Sequence, residues 1–154
     1  MKRASGPGRR NAPSGDAVGS FKEGELDGGF CSFAFPNGDK FEGSCSQGKA
    51  DGKGLFVYGT GERYTGEFQA GWFHGAGLFE YPDGSVFEGE FKRGKAEGTG
   101  KWVGKDGSEY RGEYIADAPS GTGAKRWPDG RSYDGEWKGG LEHGNGRYRI
   151  YLAT

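Results

Sequence analysis

Two histidines, two cysteines, a recurring glutamate and repeated Gly-x-Gly pairs are the groups in this sequence with chemistry to offer. His74 and His143 are metal-ligand types. Cys31 and Cys45 can act as thiolates or join as a disulfide. Glu67, Glu90, Glu113 and Glu136 are general-acid types. Gly52/Gly54, Gly75/Gly77, Gly98/Gly100, Gly121/Gly123 and Gly144/Gly146 are the kind of pair that lets backbone amides approach a phosphate. None stands in the context that its chemistry requires. The histidines are far apart along the chain, and segments such as Gln47-Gly-Lys-Ala-Asp51 carry no ligand pattern, so both read as loop histidines. The Gly-x-Gly pairs open neither G-x-x-x-x-G-K-[ST] nor the dinucleotide pattern, and read as hairpin turns. The glutamates recur at a fixed spacing, which marks them as structural surface residues first. No Ser-His-Asp or Cys-His arrangement stands out. The expectation is a chain with no catalytic residues, no cofactor and no metal.

The cysteines carry no C-x-x-C signature and are too few for a disulfide scaffold. They are expected as free thiols in a reducing compartment, although they lie on the two arms of one hairpin, where a cross-strand bridge is geometrically allowed.

What positions these groups is a repeat. Phe41, Tyr64, Phe87, Tyr110 and Tyr133 are each 23 residues apart. Two residues after each stands a glycine, and two further on stand Cys45, Phe68, Phe91, Tyr114 and Trp137. A third column reads Phe33, Phe56, Phe79, Trp102, Lys125, Tyr148, and a fourth Phe35, Tyr58, Tyr81, Gly104, Trp127. Together the four columns hold 18 of the 23 aromatics, where chance placement would put roughly four. A period in this range means stacked supersecondary units.

Within a unit, Gly54, Phe56 and Tyr58 are spaced by two, as are Tyr64, Gly66 and Phe68. Period two puts each set on one face of a strand, with polar Arg63, Thr65 and Glu67 on the other. Pro36-Asn37-Gly38, Pro82-Asp83-Gly84 and Pro128-Asp129-Gly130 are type I turns closed by a left-handed glycine, the signature of a hairpin with a G1 bulge. That turn pairs Tyr58 with Glu62, Phe56 with Tyr64 and Gly54 with Gly66. The fold expected is all-β: tandem hairpins in one elongated, twisted, curved antiparallel sheet, ten strands and roughly 50 Å long. The glycines leave room for a ring from a neighbouring unit. One face of a single sheet does not close a core alone, so the aromatic face is expected to curl on itself, meet a second copy or hold a ligand.

Composition agrees. The chain has 154 residues with 32% hydrophobic; Leu, Ile, Val and Phe number only 22, which alone would suggest disorder, and its 34 glycines and 6 prolines would signal low complexity if they lacked a period. Aromatics at 15% and a net charge of −1 favour a folded chain. That charge and a pI of 6.2 argue against nucleic acid as a partner. No stretch approaches a membrane span or a signal-peptide apolar core, so a cytoplasmic protein is expected. Residues 1–19 are rich in Gly, Pro, Ala and Ser and carry Lys2, Arg3, Arg9 and Arg10, and read as a disordered basic tail, with an organelle address as the alternative. Residues 20–154 form the repeat domain.

Tyr64-Thr-Gly-Glu-Phe68 with Gly71-Trp-Phe-His-Gly75-Ala-Gly77 and Tyr81-Pro-Asp-Gly84 resembles the MORN (membrane occupation and recognition nexus) repeat, and so do Phe87-Glu-Gly-Glu-Phe91 and Tyr133-Asp-Gly-Glu-Trp137 with the residues that follow them. The resemblance covers about residues 20–151: a degenerate first unit, then five units from Phe41, the last truncated into a cap. It implies an elongated sheet with an aromatic groove, and scaffolds that bind proteins at cytoskeletal, flagellar or membrane-associated structures. Some members resemble targeting modules of lipid kinases or methyltransferases. The fourth unit departs most: Asp117 replaces a glycine, Pro119 enters, and Gly104 and Lys125 replace aromatics.

The function expected is a protein-interaction scaffold holding a peptide or helix over Tyr64, Phe68, Phe87, Phe91, Tyr110, Tyr114, Tyr133 and Trp137. Trp72-Phe73 breaks the pattern of the other units and is either a further contact or local packing. The aromatic face is also compatible with a homodimer. The alternative is a peripheral membrane adaptor in which the tail, Lys92-Arg93 and Lys125-Arg126 meet anionic phospholipid.

Overall fold

The computed structural model describes residues 16–150 apart from residues 20 and 23. The described residues are strand and turn throughout. Three short strands come first: β1 (Asp16–Val18), β2 (Phe21–Lys22) and β3 (Glu25–Leu26). They are followed by β4 (Phe30–Ala34), β5 (Lys40–Ser46), β6 (Lys49–Val57), β7 (Arg63–Gln69), β8 (Trp72–Glu80), β9 (Val86–Lys92) and β10 (Lys95–Val103). The last four are β11 (Glu109–Ile115), β12 (Ala118–Arg126), β13 (Ser132–Lys138) and β14 (Leu141–Arg149). Strands β4 to β14 are neighbours in chain order and antiparallel, and β1 adds at the β4 edge, giving one open 12-stranded sheet. Strands β2 and β3 pair as a separate small hairpin. Asp16–Val18, which the sequence places in the tail, pairs with β4 through Asp16↔Ala34, Ala17↔Phe33 and Val18↔Ser32. The rest of the expected tail, residues 1–15, lies outside the described residues.

The expected register holds: Phe56 opposes Tyr64, Gly54 opposes Gly66, and the Tyr58 amide donates to the Glu62 carbonyl at 2.9 Å. At this end of each unit the turn glycine takes a left-handed φ, +106° at Gly61. The Asx residue before it accepts an amide, as Asp83 does from Ser85 at 2.8 Å. The other end is a two-residue turn with both φ positive, Ala70 (+50°) then Gly71 (+85°), whose geometry matches strand twist. In the fourth unit Asp117 takes this left-handed position at +73°, and its carboxylate accepts the Ala96 amide at 2.8 Å. The substitution that looked like a defect carries its own bond to the preceding unit.

The Gly-x-Gly pairs are not turns, and the two histidines are not in loops. The turns are made a few residues earlier, and the pairs lie within β6, β8, β10, β12 and β14. The first glycine of each pair adopts positive φ inside a bulge, where the register shifts, as between Gly66↔Gly77 and Phe68↔Phe73. The recurring glutamate braces that bulge. Glu67 accepts the Ala76 amide at 2.9 Å, Glu90 that of Thr99 at 3.2 Å, Glu113 that of Thr122 at 2.6 Å and Glu136 that of Asn145 at 2.6 Å. A Cβ on Gly75, Gly98, Gly121 or Gly144 would run into the carboxylate.

The second glycine of each pair serves a different purpose. A ring lies flat on it: Phe41 on Gly54, Tyr64 on Gly77, Phe87 on Gly100, Tyr110 on Gly123, Tyr133 on Gly146. A Cβ at Gly100 would stand 2.6 Å from Cε1 of Phe87, and Gly100 has no positive φ to strain. We therefore expect Gly100→Ala to lose about 1–3 kcal/mol by overpacking. The loss should shrink when Phe87→Leu is made alongside it, because the two share one volume. Urea midpoints of the wild type, two single variants and the double variant test this; strictly additive costs would mean that the glycine is not there to seat the ring.

Candidate functional site

The eight rings expected to line an open groove are core residues. Tyr64, Phe68, Phe87, Phe91, Tyr110, Tyr114, Tyr133 and Trp137 are each between 0 and 7% exposed, although the sheet has no second layer among the described residues. Their geometry explains this. Within a unit the two rings meet edge to face: Tyr64–Phe68 at 5.1 Å, Phe87–Phe91 at 5.4 Å, Tyr110–Tyr114 at 5.3 Å and Tyr133–Trp137 at 5.2 Å. Between units the second ring meets the first ring of the unit before: Phe41–Phe68 at 5.0 Å, Tyr64–Phe91 at 5.1 Å, Phe87–Tyr114 at 4.9 Å and Tyr110–Trp137 at 5.2 Å. The result is an unbroken ladder from Phe41 to Trp137. Its glycine floor brings it close to the backbone, so the rings and glycines cover one another.

The ladder begins with a covalent version of the same contact. The second ring of a unit lies over the glycine 14 residues before it: a Cβ on Gly100 would be 3.4 Å from Tyr114, and the Trp137 indole N–H donates to the Gly123 carbonyl at 3.0 Å. At the first unit those two columns hold Cys45 and Cys31, which the structure joins as a disulfide with a Cα–Cα distance of 6.0 Å. The expectation of free thiols is corrected by position: both sulfurs sit where ring and glycine touch elsewhere.

Trp72 and Phe73 separate. Phe73 stands where other units have Ala50 or Ala96, and it is fully buried, stacked on Tyr64 at 3.8 Å with planes 11° apart. Trp72 is half-buried, and strand alternation turns it to the opposite face. His74 and His143 lie on β8 and β14, with five strands between them.

A second set of aromatics remains partly exposed against the ladder: Phe35, Tyr81, Trp102 and Trp127. The two breaks in their columns are compensations that sequence inspection missed. Trp102 is larger than its counterparts Phe56 and Phe79, and its indole lies across Gly104, where the other units have Phe, Tyr or Trp. Lys125 replaces a ring, and its ammonium sits 5.1 Å above Trp127, with the Arg131 guanidinium also at 5.1 Å. Arg131 in turn is paired with Asp129 at 2.7 Å and donates to the Tyr148 hydroxyl at 2.9 Å.

Five tyrosines, Tyr58, Tyr64, Tyr81, Tyr110 and Tyr114, hold their protons more tightly than usual. Desolvation pushes Tyr110 up to about 12, helped by the Glu113 carboxylate. Tyr58, Tyr64, Tyr81 and Tyr114 are also raised, in each case chiefly by burial. As neutral phenols they donate: Tyr64 to the Glu67 carbonyl at 2.7 Å, Tyr110 to that of Glu113 at 2.9 Å. The turn carboxylates Asp83 and Asp106 are lowered first by the amides of Ser85 and Ser108, and Asp129 by that of Arg131.

The MORN repeat profile matches residues 41–63, 64–86, 87–109, 110–130 and 133–150, and each match starts at or within the unit whose first ring is Phe41, Tyr64, Phe87, Tyr110 or Tyr133. No curated protein sequence matches the chain. Among solved structures, the TCP domain of Drosophila melanogaster SAS-4 (dCPAP), in complex with a proline-rich motif of Ana2 (dSTIL), aligns at 16% identity over 79% of this chain and 72% of that one, with a TM-score of 0.47. The G-box domain of the microcephaly protein CPAP aligns at 12% identity over 80% and 69%, with a TM-score of 0.38. No helix among the described residues is long and apolar enough to cross a membrane.

The raised tyrosines fix a pH dependence. A proton held more tightly in the folded state gives stability that is complete below the unfolded value of about 10 and is lost as pH rises through the folded values. We expect the urea midpoint to be level up to about pH 9 and to fall above about pH 10. The slope should be about 1.4 kcal/mol per pH unit for each buried tyrosine still protonated. Tyrosinate absorbance measured alongside should lag behind an unfolded control; full ionisation near pH 10 in a protein that is still folded would contradict the burial.

Proposed function

The chain belongs to the MORN-repeat family, and on that premise we propose that it is a non-enzymatic protein-interaction scaffold that holds a partner peptide or helix along its aromatic side. The observation that carries this is the division of the aromatics into two sets. The ladder of Tyr64, Phe68, Phe87, Phe91, Tyr110, Tyr114, Tyr133 and Trp137 is the rigid backing. Phe35, Tyr81, Trp102 and Trp127 are held against it with part of each ring open. Rings already fixed by a core lose little entropy on binding, which is what makes a preorganised contact surface effective. Aromatic side chains are the ones that most often dominate such contacts. Trp72, on the other face, stands outside this contact. The settings the family implies, cytoskeletal, flagellar and membrane-associated, are where the partner is to be sought.

The test is recovery of partners from native extract by the tagged chain, with a Tyr81→Ser, Trp127→Ser variant beside it. Both positions are partly exposed, so the variant should keep the wild-type circular dichroism spectrum. A protein partner should be recovered by the wild type and reduced about tenfold or more by the variant, as loss of hot-spot aromatics would give. Equal recovery by both chains would remove the aromatic side from the interaction. Recovery of anionic phospholipid in place of protein would make the chain a peripheral membrane adaptor.

A further inference from the structure

We propose that the face of the sheet opposite the rings carries a second binding site, a cationic trough across β10 to β14 that takes an extended acidic peptide segment of a partner protein. The trough encloses about 720 Å³. Two rows of side chains form it, and the register gives their order. One row runs Lys101, Arg111, Ala124, Asp134, Arg147 through direct cross-strand neighbours. The next runs Glu109, Arg126, Ser132, Arg149. Small residues, Ala124 and Ser132, occupy the middle, and five cations surround two carboxylates.

Nothing in the fold uses this charge. The four arginines are exposed, and among the described residues none of the five cations takes part in an ion pair. Glu109 opposes Arg126, Asp134 opposes Arg147 and Glu88 opposes Lys101 at the β9 edge, which leaves Arg111 and Arg149 without an acid directly across a strand. The chain as a whole has a net charge of −1, so the excess is local to this end of the sheet. The first half of the same face differs in character: its depression has Phe30, Leu55 and Ala76 beside Glu42, Lys53 and Glu67, with no excess of cations.

The shape and the chemistry select the occupant. Four inter-strand steps make the trough roughly 20 Å long, which six or seven residues of an extended chain span at about 3.3 Å each. A membrane leaflet is flat and would meet Glu109 and Asp134 along with the cations, whereas a peptide can place neutral residues over the two acids. A single-stranded nucleic acid would lack the rings on which its bases stack, since those are on the other face.

Fluorescence anisotropy on the full chain tests this with a labelled peptide of about seven residues that alternates glutamate and serine, beside the same peptide with glutamine for glutamate. The glutamate peptide should bind, and binding should weaken as salt is raised. Arg111→Ala with Arg147→Ala should weaken it by about tenfold or more, the scale expected when a close charge partner is removed. Lys92→Ala with Arg93→Ala, outside the trough, should leave it unchanged. So should Tyr81→Ser with Trp127→Ser, which keeps failure here distinct from failure of the aromatic side. Comparable binding of the glutamine peptide, or full binding by the Arg111→Ala, Arg147→Ala chain, overturns the proposal. So does binding of phosphatidylserine vesicles, abolished by those two substitutions, with no peptide bound.

Discussion

From Phe41 to Trp137, nine rings meet edge to face, alternating within and between units at 4.9 to 5.4 Å. Each such pair adds about 0.5–1.5 kcal/mol beyond the area it buries. The geometry makes demands on the rest of the unit. A ring can turn its edge to a neighbour only if it lies low over the sheet, and it lies low only where no Cβ stands beneath it. The paired glycine columns follow from that. So does the low content of aliphatic residues: the ladder needs few partners besides itself, and a chain with 32% hydrophobic residues still has a core. The bulge follows as well, because placing the second ring over the glycine of the preceding unit takes extra residues on one strand. The glutamate brace then satisfies the amide that the bulge frees.

Much of this was legible in the sequence. The 23-residue period, the G1 turns and the register of Phe56 on Tyr64 all follow from spacing and turn chemistry, which are local properties. Burial of the rings was not legible. It depends on the tilt of each ring and on what stands one unit away, and neither is encoded in period-two alternation. The same gap explains the misplaced turns. Gly-x-Gly suits a turn as well as a bulge, and the two-residue turns at Ala70-Gly71 and Arg93-Gly94 carry a non-glycine residue at positive φ that no simple pattern marks. Strand β1 was hidden by its composition, since Asp16–Val18 is held by pairing to β4 and not by any propensity of its own.

The departures from the repeat are informative because they come in pairs. Trp102 is accommodated by Gly104 across which it lies, Lys125 by Trp127 beneath its ammonium, and Asp117 by the Ala96 amide it accepts. Cys31 and Cys45 follow the same logic at the end of the ladder, where the first-ring column one period before Phe41 holds Val18 and not a ring. A ring there would have an open side; a covalent bridge between the same two columns needs no further neighbour. Viewed singly, each of these residues breaks a column. Viewed with its partner, each preserves the volume or the bond that the column supplies elsewhere.

A self-closing core also changes what the two faces of the sheet are free to do. In an ordinary layered domain one face of a sheet is committed to packing against another element. Here the rings satisfy that need within their own layer, and among the described residues no second sheet or helix covers either face. The aromatic side keeps a margin of half-open rings fixed by the ladder beneath them. The opposite side is constrained only at the braced glutamates, and its remaining positions vary from unit to unit without disturbing the core. Leu55 and Leu78 occupy the row that Lys101, Arg111 and Arg147 occupy further along. A repeat built this way can hold its period strictly on one face while the other acquires a distinct chemistry in each segment, and the contrast between the mixed first half and the arginine-rich second half is what that freedom permits.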